Sequence, residues 1–221
     1  MEENKFLELV SSPLMNLDHT YRYSGTKLAE AETLSQHIVD TIMMGLKIID
    51  TLDHKGMDLS AKEYIMKATY HDLEEVITGD IPRPLKYHDD VTLKSMRDVA
   101  DEVAEDLFKK EFSEWKLHFD RWSDAKEGAE GYVLKLVDNL VVVNKVVKEV
   151  SLLHNYYMLR VAHEVSQYTT ELKNHTGEYI VSWTDEAKEY IYELLEGAIK
   201  AMHDILDEHS DKLHLCGHSM I

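Results

Sequence analysis

Cysteine, proline and glycine are all scarce in this chain, and each scarcity excludes a class of protein. The single cysteine, Cys216, excludes a disulfide bond within the chain and fits a reducing compartment. Three prolines and nine glycines among 221 residues exclude a collagen-like or low-complexity chain. No proline follows Pro84, so residues 85–221 contain no strong helix breaker of that kind. This composition favours long helices.

Basic residues and long apolar runs are lacking as well. The chain has 24 lysines and arginines against 42 aspartates and glutamates, a formal net charge of -18. This charge repels nucleic acid polymers and anionic membranes, but it permits a small anionic substrate where a metal ion supplies positive charge. The longest apolar run, 137–143, contains Asp138 and Asn139 and is too short to span a membrane. The N-terminal segment has no signal-peptide pattern, so we expect a cytoplasmic protein.

Apolar residues recur at helical spacing along most of the chain, with no convincing strand and no internal repeat. Between Leu34 and Ile49 they recur every three or four positions. Another helix is bounded by a Ser-x-x-Glu capping box at Ser60 and by Gly79. We predict helices over about 3–16, 29–52, 60–79, 92–110, 131–173 (one helix or two collinear ones) and 185–208, with 111–127 irregular or helical. A single all-α domain over 1–221 follows from this pattern and length.

The segment HDLEEVITGDIPRPLK, residues 71–86, carries more ionisable groups than a core helix needs. Its His-Asp pair alone is a weak signal, because the same dipeptide occurs at 88–89 and 203–204. His71 and Glu75 are four residues apart and share one face of a predicted helix. The segment therefore favours a divalent metal site beside a phosphate pocket, provided that further ligands exist elsewhere.

Two polar residues occupy positions where the pattern predicts burial. His37 interrupts the apolar face of its helix, and Asp138 lies within YVLKLVDNLVVV. A buried isolated carboxylate costs several kcal/mol unless it is paired or binds metal, so a salt bridge is the ordinary alternative to ligation. With His71 and Asp72, the two residues complete a set of two imidazoles and two carboxylates. This set suits one divalent ion of Co, Mn, Zn, Fe or Ni better than Ca, with Mg accompanying the substrate as a further option.

Two acidic residues are candidates for catalysis. Glu75, one helical turn beyond His71, could position an attacking water and return a proton to the leaving oxygen without binding metal. Asp80 lies just beyond the predicted helix end, at the mouth of the cavity. A plain turn aspartate before Ile-Pro is the equally reasonable interpretation of Asp80.

These residues resemble the HD-domain phosphohydrolases, and within them the bacterial 5′-deoxynucleotidases and their phage relatives. The family pattern is a histidine on one helix, His-Asp on the next and a distal aspartate, matched here by His37, His71, Asp72 and Asp138. The match is densest in 71–86, including its two prolines. The resemblance implies an HD-domain helical bundle with a long C-terminal helical extension, with the motifs within about 22–140. It also implies a homodimer or higher homo-oligomer.

The resemblance further implies a set of substrate-binding residues. In the family an arginine followed by an aromatic residue, usually Trp, precedes the first histidine; Arg22 and Tyr23 match it, with Tyr in place of Trp. The arginine helps to bind phosphate, and the aromatic ring packs near the sugar. Lys27 and Lys86 are candidates for added positive charge. The aspartate that corresponds to Asp80 contacts or shapes the nucleotide site.

The expected function is metal-dependent removal of phosphate from (deoxy)nucleoside 5′-monophosphates. A deoxynucleoside triphosphate hydrolase with the same metal ligands is the nearest alternative, and hydrolysis of cyclic or hyperphosphorylated nucleotides also remains open. A non-catalytic helical protein stabilised by its metal is the alternative of another class. Such a non-catalytic protein would not need Glu75, Arg22 and the segment with Pro82 and Pro84 together.

Overall fold

The computed structural model describes residues 5–86 and 88–216, which form helices joined by short connections. The α-helices in chain order are α1 (Lys5–Val10), α2 (Leu34–His54), α3 (Ala61–Tyr70), α4 (Glu75–Thr78), α5 (Arg83–Lys86), α6 (Asp90–Glu111), α7 (Trp115–Ser123), α8 (Gly128–Val147), α9 (Leu159–Tyr179) and α10 (Asp185–Glu208). Short 3₁₀ helices cover Pro13–His19, Tyr156–Met158 and Ser210–Cys216, and a π-helical turn covers Lys148–Leu152. Within these described ranges there is no β-strand, only an isolated bridge between Tyr21 and Thr33. The prediction of an all-α fold is confirmed.

Helix α8 is the most deeply buried of the long helices, and four other helices pack around it. It contacts α2, α3, α9 and α10, which is why its sequence is apolar on nearly all sides. One apolar cluster joins α2, α3, α8 and α10, and a second joins α8, α9 and α10. A third lies between α2, α6 and the turn after α3. No helix in the described part of the chain is both long and apolar enough to cross a bilayer.

Helix α2 begins at Leu34, so the predicted start at residue 29 is wrong. Thr33 accepts a hydrogen bond from the backbone N–H of Gln36, and the Gln36 side chain accepts one from the Thr33 N–H, which together form a capping box. The preceding residues turn back on themselves through the Tyr21 bridge. They form a loop that places Arg22 near the start of α2.

The predicted helix over 60–79 is interrupted at His71 and Asp72, the two candidate metal ligands that it contains. Helix α3 ends at Tyr70, and a turn over 71–74 separates it from α4. The backbone N–H of Leu73 donates to the Tyr70 carbonyl, three residues back, instead of continuing the four-residue pattern of α3. His71 and Glu75 therefore do not lie on one continuous helix face.

The predicted helix over 131–173 is also divided, although it contains no proline. After α8 the π-helical turn Lys148–Leu152 leads into a reversal in which His154 has φ 54°, a left-handed conformation. Polar contacts of Glu149 and Asn155 with the loop before α2 stabilise this reversal. A tertiary network, which helical periodicity does not reveal, thus ends α8.

Gly45 allows α2 and α3 to approach closely, and Gly45→Ala is expected to destabilise the protein by about 1–3 kcal/mol. A Cβ at this position would lie 1.9 Å from the Tyr64 hydroxyl, and Tyr64 is fully buried and donates to the Thr41 carbonyl at 2.8 Å. Gly197→Ala in α10 is the matched control, because a Cβ there meets open space. It should stabilise by roughly 0.5–1 kcal/mol. Urea unfolding of both variants measures the difference, and equal effects would contradict the packing argument.

Candidate metal and phosphate site

Four side chains from three parts of the fold converge at the inner face of α8. His37 comes from the first turn of α2, His71 and Asp72 from the turn after α3, and Asp138 from the middle of α8. One ligand atom from each lies within 4.8 Å of all the others. The structure therefore brings together the four residues that the sequence analysis assigned to a metal.

The distances within this group fit a shared cation. Oδ2 of Asp72 lies 3.1 Å from Nε2 of His71 and 3.6 Å from Nε2 of His37. Oδ1 of Asp138 lies 3.3 Å from the same His37 nitrogen. Such spacings are close to those between neighbouring ligands that each lie about 2.0–2.2 Å from one ion.

The tautomer of one histidine is fixed in the orientation that a metal ligand needs. Nδ1 of His71 is 2.8 Å from the carbonyl oxygen of Ala68, which directs Nε2 towards the carboxylates. Nε2 of both His37 and His71 is buried without a hydrogen-bond partner among the described residues. Buried nitrogens that face carboxylates in this way fit a divalent ion of the kind expected from the sequence.

The electrostatic environment keeps the two aspartates ionised. Burial opposes ionisation, but His71 lowers the pKa of Asp72, and Lys126 and His37 lower the pKa of Asp138. Burial and the Arg22 charge lower the pKa of His37 to about 4, so this imidazole is neutral near pH 7. Burial works against protonation of His71 too, yet Asp72 raises its pKa. Three of the four groups are thus already in the state that binds metal.

Glu75 follows this group at the start of α4, with its Oε2 buried and without a hydrogen-bond partner in the described structure. Burial and the nearby Asp72 charge raise the pKa of Glu75 well above its ordinary value. The turn over 71–74 replaces the continuous helix face that we predicted. Glu75 nevertheless remains electrostatically coupled to Asp72 and Arg22, and it stays the candidate for proton transfer.

Glu74, one residue before Glu75, contacts a neighbouring helix. Its carboxylate accepts a hydrogen bond from Nε1 of Trp122 at 2.6 Å, which joins the turn to α7. Burial and the Asp72 charge raise the pKa of Glu74 to about 7. Residue 74 thus belongs to a turn that packs against α7.

Arg22 lies beside Asp72 of the metal group, and Asp80 contacts the two residues that follow Arg22. A guanidinium nitrogen of Arg22 lies 3.5 Å from Oδ2 of Asp72. Burial lowers the pKa of Arg22, but the charges of Asp72 and Glu75 outweigh this effect and raise it. The Asp80 carboxylate accepts a hydrogen bond from the backbone N–H of Tyr23 at 2.6 Å. The backbone carbonyl of Asp80 accepts another from the Ser24 hydroxyl. Asp80 thus fixes the loop that carries Arg22, which is a more specific position than a plain turn aspartate.

Tyr23 lines a pocket together with Arg22. Its φ of 63° is unusual for a non-glycine residue, and its hydroxyl is buried without a hydrogen-bond partner among described residues. The pocket is lined by Arg22, Tyr23 and Asp80 from the loop side and by Arg160 from α9.

A buried ionic network ties the Arg22 loop to α8 and its extension. Glu149 accepts from the backbone N–H groups of Ala29 at 2.8 Å and Glu30 at 3.0 Å, and from the Asn155 amide at 2.6 Å. The Lys145 ammonium lies 2.9 Å from the same carboxylate and donates to the Glu30 carbonyl. Although burial opposes it, the hydrogen bonds from Asn155 and Ala29 lower the pKa of Glu149 to about 2. The loop is therefore part of a stable framework.

The two predicted lysines occupy different surroundings. The ammonium of Lys27 lies 4.9 Å above the ring of Tyr157 and lines neither the metal group nor the Arg22 pocket. Lys86 lines a small pocket that also contains Glu75 and the surface residue Arg97. The structure thus brings Lys86 near the catalytic candidate and leaves Lys27 away from it.

Two residues at the site have no counterpart in the sequence predictions. The Lys126 ammonium lies 2.8 Å from Oδ2 of Asp138. Glu32 is buried, with Oε1 4.0 Å from Nδ1 of His37 and 3.9 Å from Arg22. A carboxylate beside the outer nitrogen of a ligating histidine commonly orients that ring. The sequence signal that could have indicated Glu32 is its position five residues before His37. No local sequence pattern indicates that Lys126 belongs to the site.

Solved structures with this architecture identify the fold. An HD-domain phosphohydrolase of Listeria innocua matches with a TM-score of 0.61 and 18% sequence identity, covering 94% of this chain and 90% of that one. A protein of Pyrococcus horikoshii matches with a TM-score of 0.62 and 19% identity, covering 86% of this chain and 96% of its own. The chain has the HD-domain fold, as predicted.

Sequence similarity then gives the family. Residues 9–187 match the YfbR-like family, described as 5′-deoxynucleotidase YfbR-like, and the chain belongs to this family. Family and fold together define a phosphohydrolase, and the sequence resemblance is confirmed.

Curated relatives carry the same description at low identity. The 5′-deoxynucleotidase of Photorhabdus laumondii is 25% identical over 134 residues, which is 59% of this chain and 68% of the relative. The 5′-deoxynucleotidase YfbR of Salmonella arizonae is 26% identical over 140 residues, 58% of this chain and 66% of the relative. The chain thus spans about two thirds of the length of these relatives.

Proposed function

We propose that this protein hydrolyses (deoxy)nucleoside 5′-monophosphates to nucleoside and inorganic phosphate, with one divalent ion bound by His37, His71, Asp72 and Asp138. The observation that carries the proposal is the convergence of these four ligand atoms within 4.8 Å. The family description of the curated relatives supports the substrate class.

The ion would be Co, Mn, Zn, Fe or Ni, because imidazole and carboxylate ligands in equal number suit these metals. When bound, it would act as a Lewis acid that increases the acidity of water and offsets the phosphate charge. The neutral His37 and the ionised Asp72 and Asp138 require no further proton loss before they bind it.

The side chains around the ligands divide the remaining work. Arg22, beside Asp72, would hold the non-bridging phosphate oxygens, and its forked guanidinium suits two of them at once. Glu75 would position the attacking water, accept the proton that the water loses on attack, and return this proton to the leaving 5′-oxygen. Asp80 holds the Tyr23 backbone and so sets where Arg22 and the Tyr23 ring meet the substrate. Lys86, which lines a pocket with Glu75, would add positive charge near the phosphate.

Several wider predictions accompany this proposal. We propose a single domain over residues 1–221, a cytoplasmic location and a homodimer or higher homo-oligomer. The substrate is a small nucleotide and neither a nucleic acid polymer nor a membrane, because the formal charge of -18 disfavours polyanionic surfaces.

Incubation of the purified protein with dAMP, AMP and dATP in the presence of Co²⁺ or Mn²⁺ tests the reaction. Chromatography should show deoxyadenosine and free phosphate from dAMP, and no triphosphate from dATP. The AMP reaction reports how strictly a pocket with Tyr23 excludes a 2′-hydroxyl. Release of triphosphate from dATP without hydrolysis of dAMP would instead establish the triphosphate hydrolase.

A further inference from the structure

We propose that Lys126 is a second phosphate-binding cation of this site, in addition to Arg22. The proposal deepens the proposed function and rests on it. Lys126 lies in the turn between α7 and α8, and its ammonium donates to Oδ2 of Asp138 at 2.8 Å. Oδ1 of the same carboxylate faces His37 at 3.3 Å. Lys126 is therefore one carboxylate removed from the proposed metal position.

The ammonium of Lys126 has more N–H donors than its contact with Asp138 uses. A lysine ammonium has three N–H donors, and Asp138 is the partner that the described contacts give it. Its side chain is 39% exposed, whereas that of Asp138 is 17% exposed. Lys126 thus contacts the ligand carboxylate and is also partly exposed to solvent.

The fold holds the Lys126 turn firmly in place. The Lys67 ammonium, on the helix that leads to His71, donates to the Asp124 carbonyl at 2.7 Å. Ala125 is buried, and a Cβ on Gly131 would lie 2.5 Å from the backbone carbonyl carbon of Lys126. Because only glycine permits this approach of α8, the position of Lys126 is specified by tertiary packing.

The carboxylates around the site explain why a second cation would help to bind phosphate. Arg22 contacts the Asp72 side of the metal group, and Lys126 contacts the Asp138 side. A phosphate dianion that approaches ionised carboxylates is repelled unless cations offset them. Lys27, the cation expected from the sequence, lies instead above the Tyr157 ring. The nearby carboxylates are those of Glu32, Asp72, Glu75 and Asp138.

Lys126→Met removes the charge and keeps most of the apolar stem. In the Co²⁺-loaded protein, we expect calorimetry to show inorganic phosphate binding weakened about 10- to 100-fold, with a matching rise in KM for dAMP. Co²⁺ affinity, measured by competition with a chelator, should change less than threefold. Lys126→Arg should restore most of the phosphate affinity. Lys116→Met on α7, which removes an exposed lysine paired with Asp120, is the charge-matched control and should behave as the wild type.

The outcomes separate the two proposals. Wild-type phosphate affinity in Lys126→Met, with dAMP hydrolysis intact in the wild type, would overturn the role of Lys126 and leave the proposed function standing. Lost Co²⁺ binding in that variant would also overturn it, because Lys126 would then only position Asp138. A wild-type protein that neither hydrolyses dAMP nor binds phosphate would overturn both.

Discussion

The double variant His71→Ala/Asp72→Ala is expected to lose Co²⁺ binding and phosphatase activity together. Oδ2 of Asp72 lies within 3.6 Å of both histidine Nε2 atoms, so the change removes two of the four proposed ligands and the centre of the group. Because loss of an outer partner of a ligand already costs 10- to 100-fold in affinity, we expect Co²⁺ affinity to fall by more than about 100-fold. Visible absorption of the Co²⁺ complex measures this directly.

The chain contains its own control for this experiment. His203→Ala/Asp204→Ala removes the same dipeptide from the exposed side of α10, where Asp204 pairs with Lys200. That variant should keep metal binding and activity. Helical circular dichroism should remain near that of the wild type in both variants. Full Co²⁺ binding by the His71/Asp72 variant would refute the ligand assignment.

Glu75→Gln is expected to lower kcat by about 100- to 10,000-fold while Co²⁺ affinity stays within threefold of the wild type. The amide keeps the shape of the side chain but can neither accept nor return a proton. Glu74→Gln is the matched control, since it removes the same charge one residue earlier and keeps an acceptor for the Trp122 N–H. Equal kcat values for Glu75→Gln and wild type would favour a metal-stabilised protein without catalytic use of Glu75.

The same variant tests the electrostatic environment in the ion-free protein. Burial and Asp72 raise the pKa of Glu75 in the folded state, so its contribution to stability is present below the unfolded-state pKa of about 4.3 and is lost as pH rises. Glu75→Gln removes this loss. The ion-free variant should therefore melt at a higher temperature than the wild type at pH 8, with a smaller difference at pH 4.

The sequence was sufficient for those features that depend on local periodicity and on the cost of burying polar groups. It predicted the all-α class and the positions of α6 and α10 within a few residues. It also singled out His37 and Asp138, because each interrupts an apolar face. The structure brings both together with His71 and Asp72.

The features that the sequence did not predict are those that tertiary contacts determine. The turn over 71–74 and the reversal near His154 occur without proline, so no helix-breaking residue in the local sequence indicated them. Lys126 resembles any surface lysine until α8 packs against its turn through Gly131. For the same reason Lys27, which is close in sequence to Arg22, could not be excluded from the site before its contact with Tyr157 was known.

The Glu149 network has a consequence for the order in which the site is completed during synthesis. Glu149 bonds to Ala29 across 120 positions of sequence, so this tie of the loop that carries Arg22 forms only after the ribosome has released the end of α8. All four proposed metal ligands precede Glu149 in the chain. A nascent chain that has just exposed Asp138 would thus carry all four proposed metal ligands while the Arg22 loop still lacked its tie to Glu149.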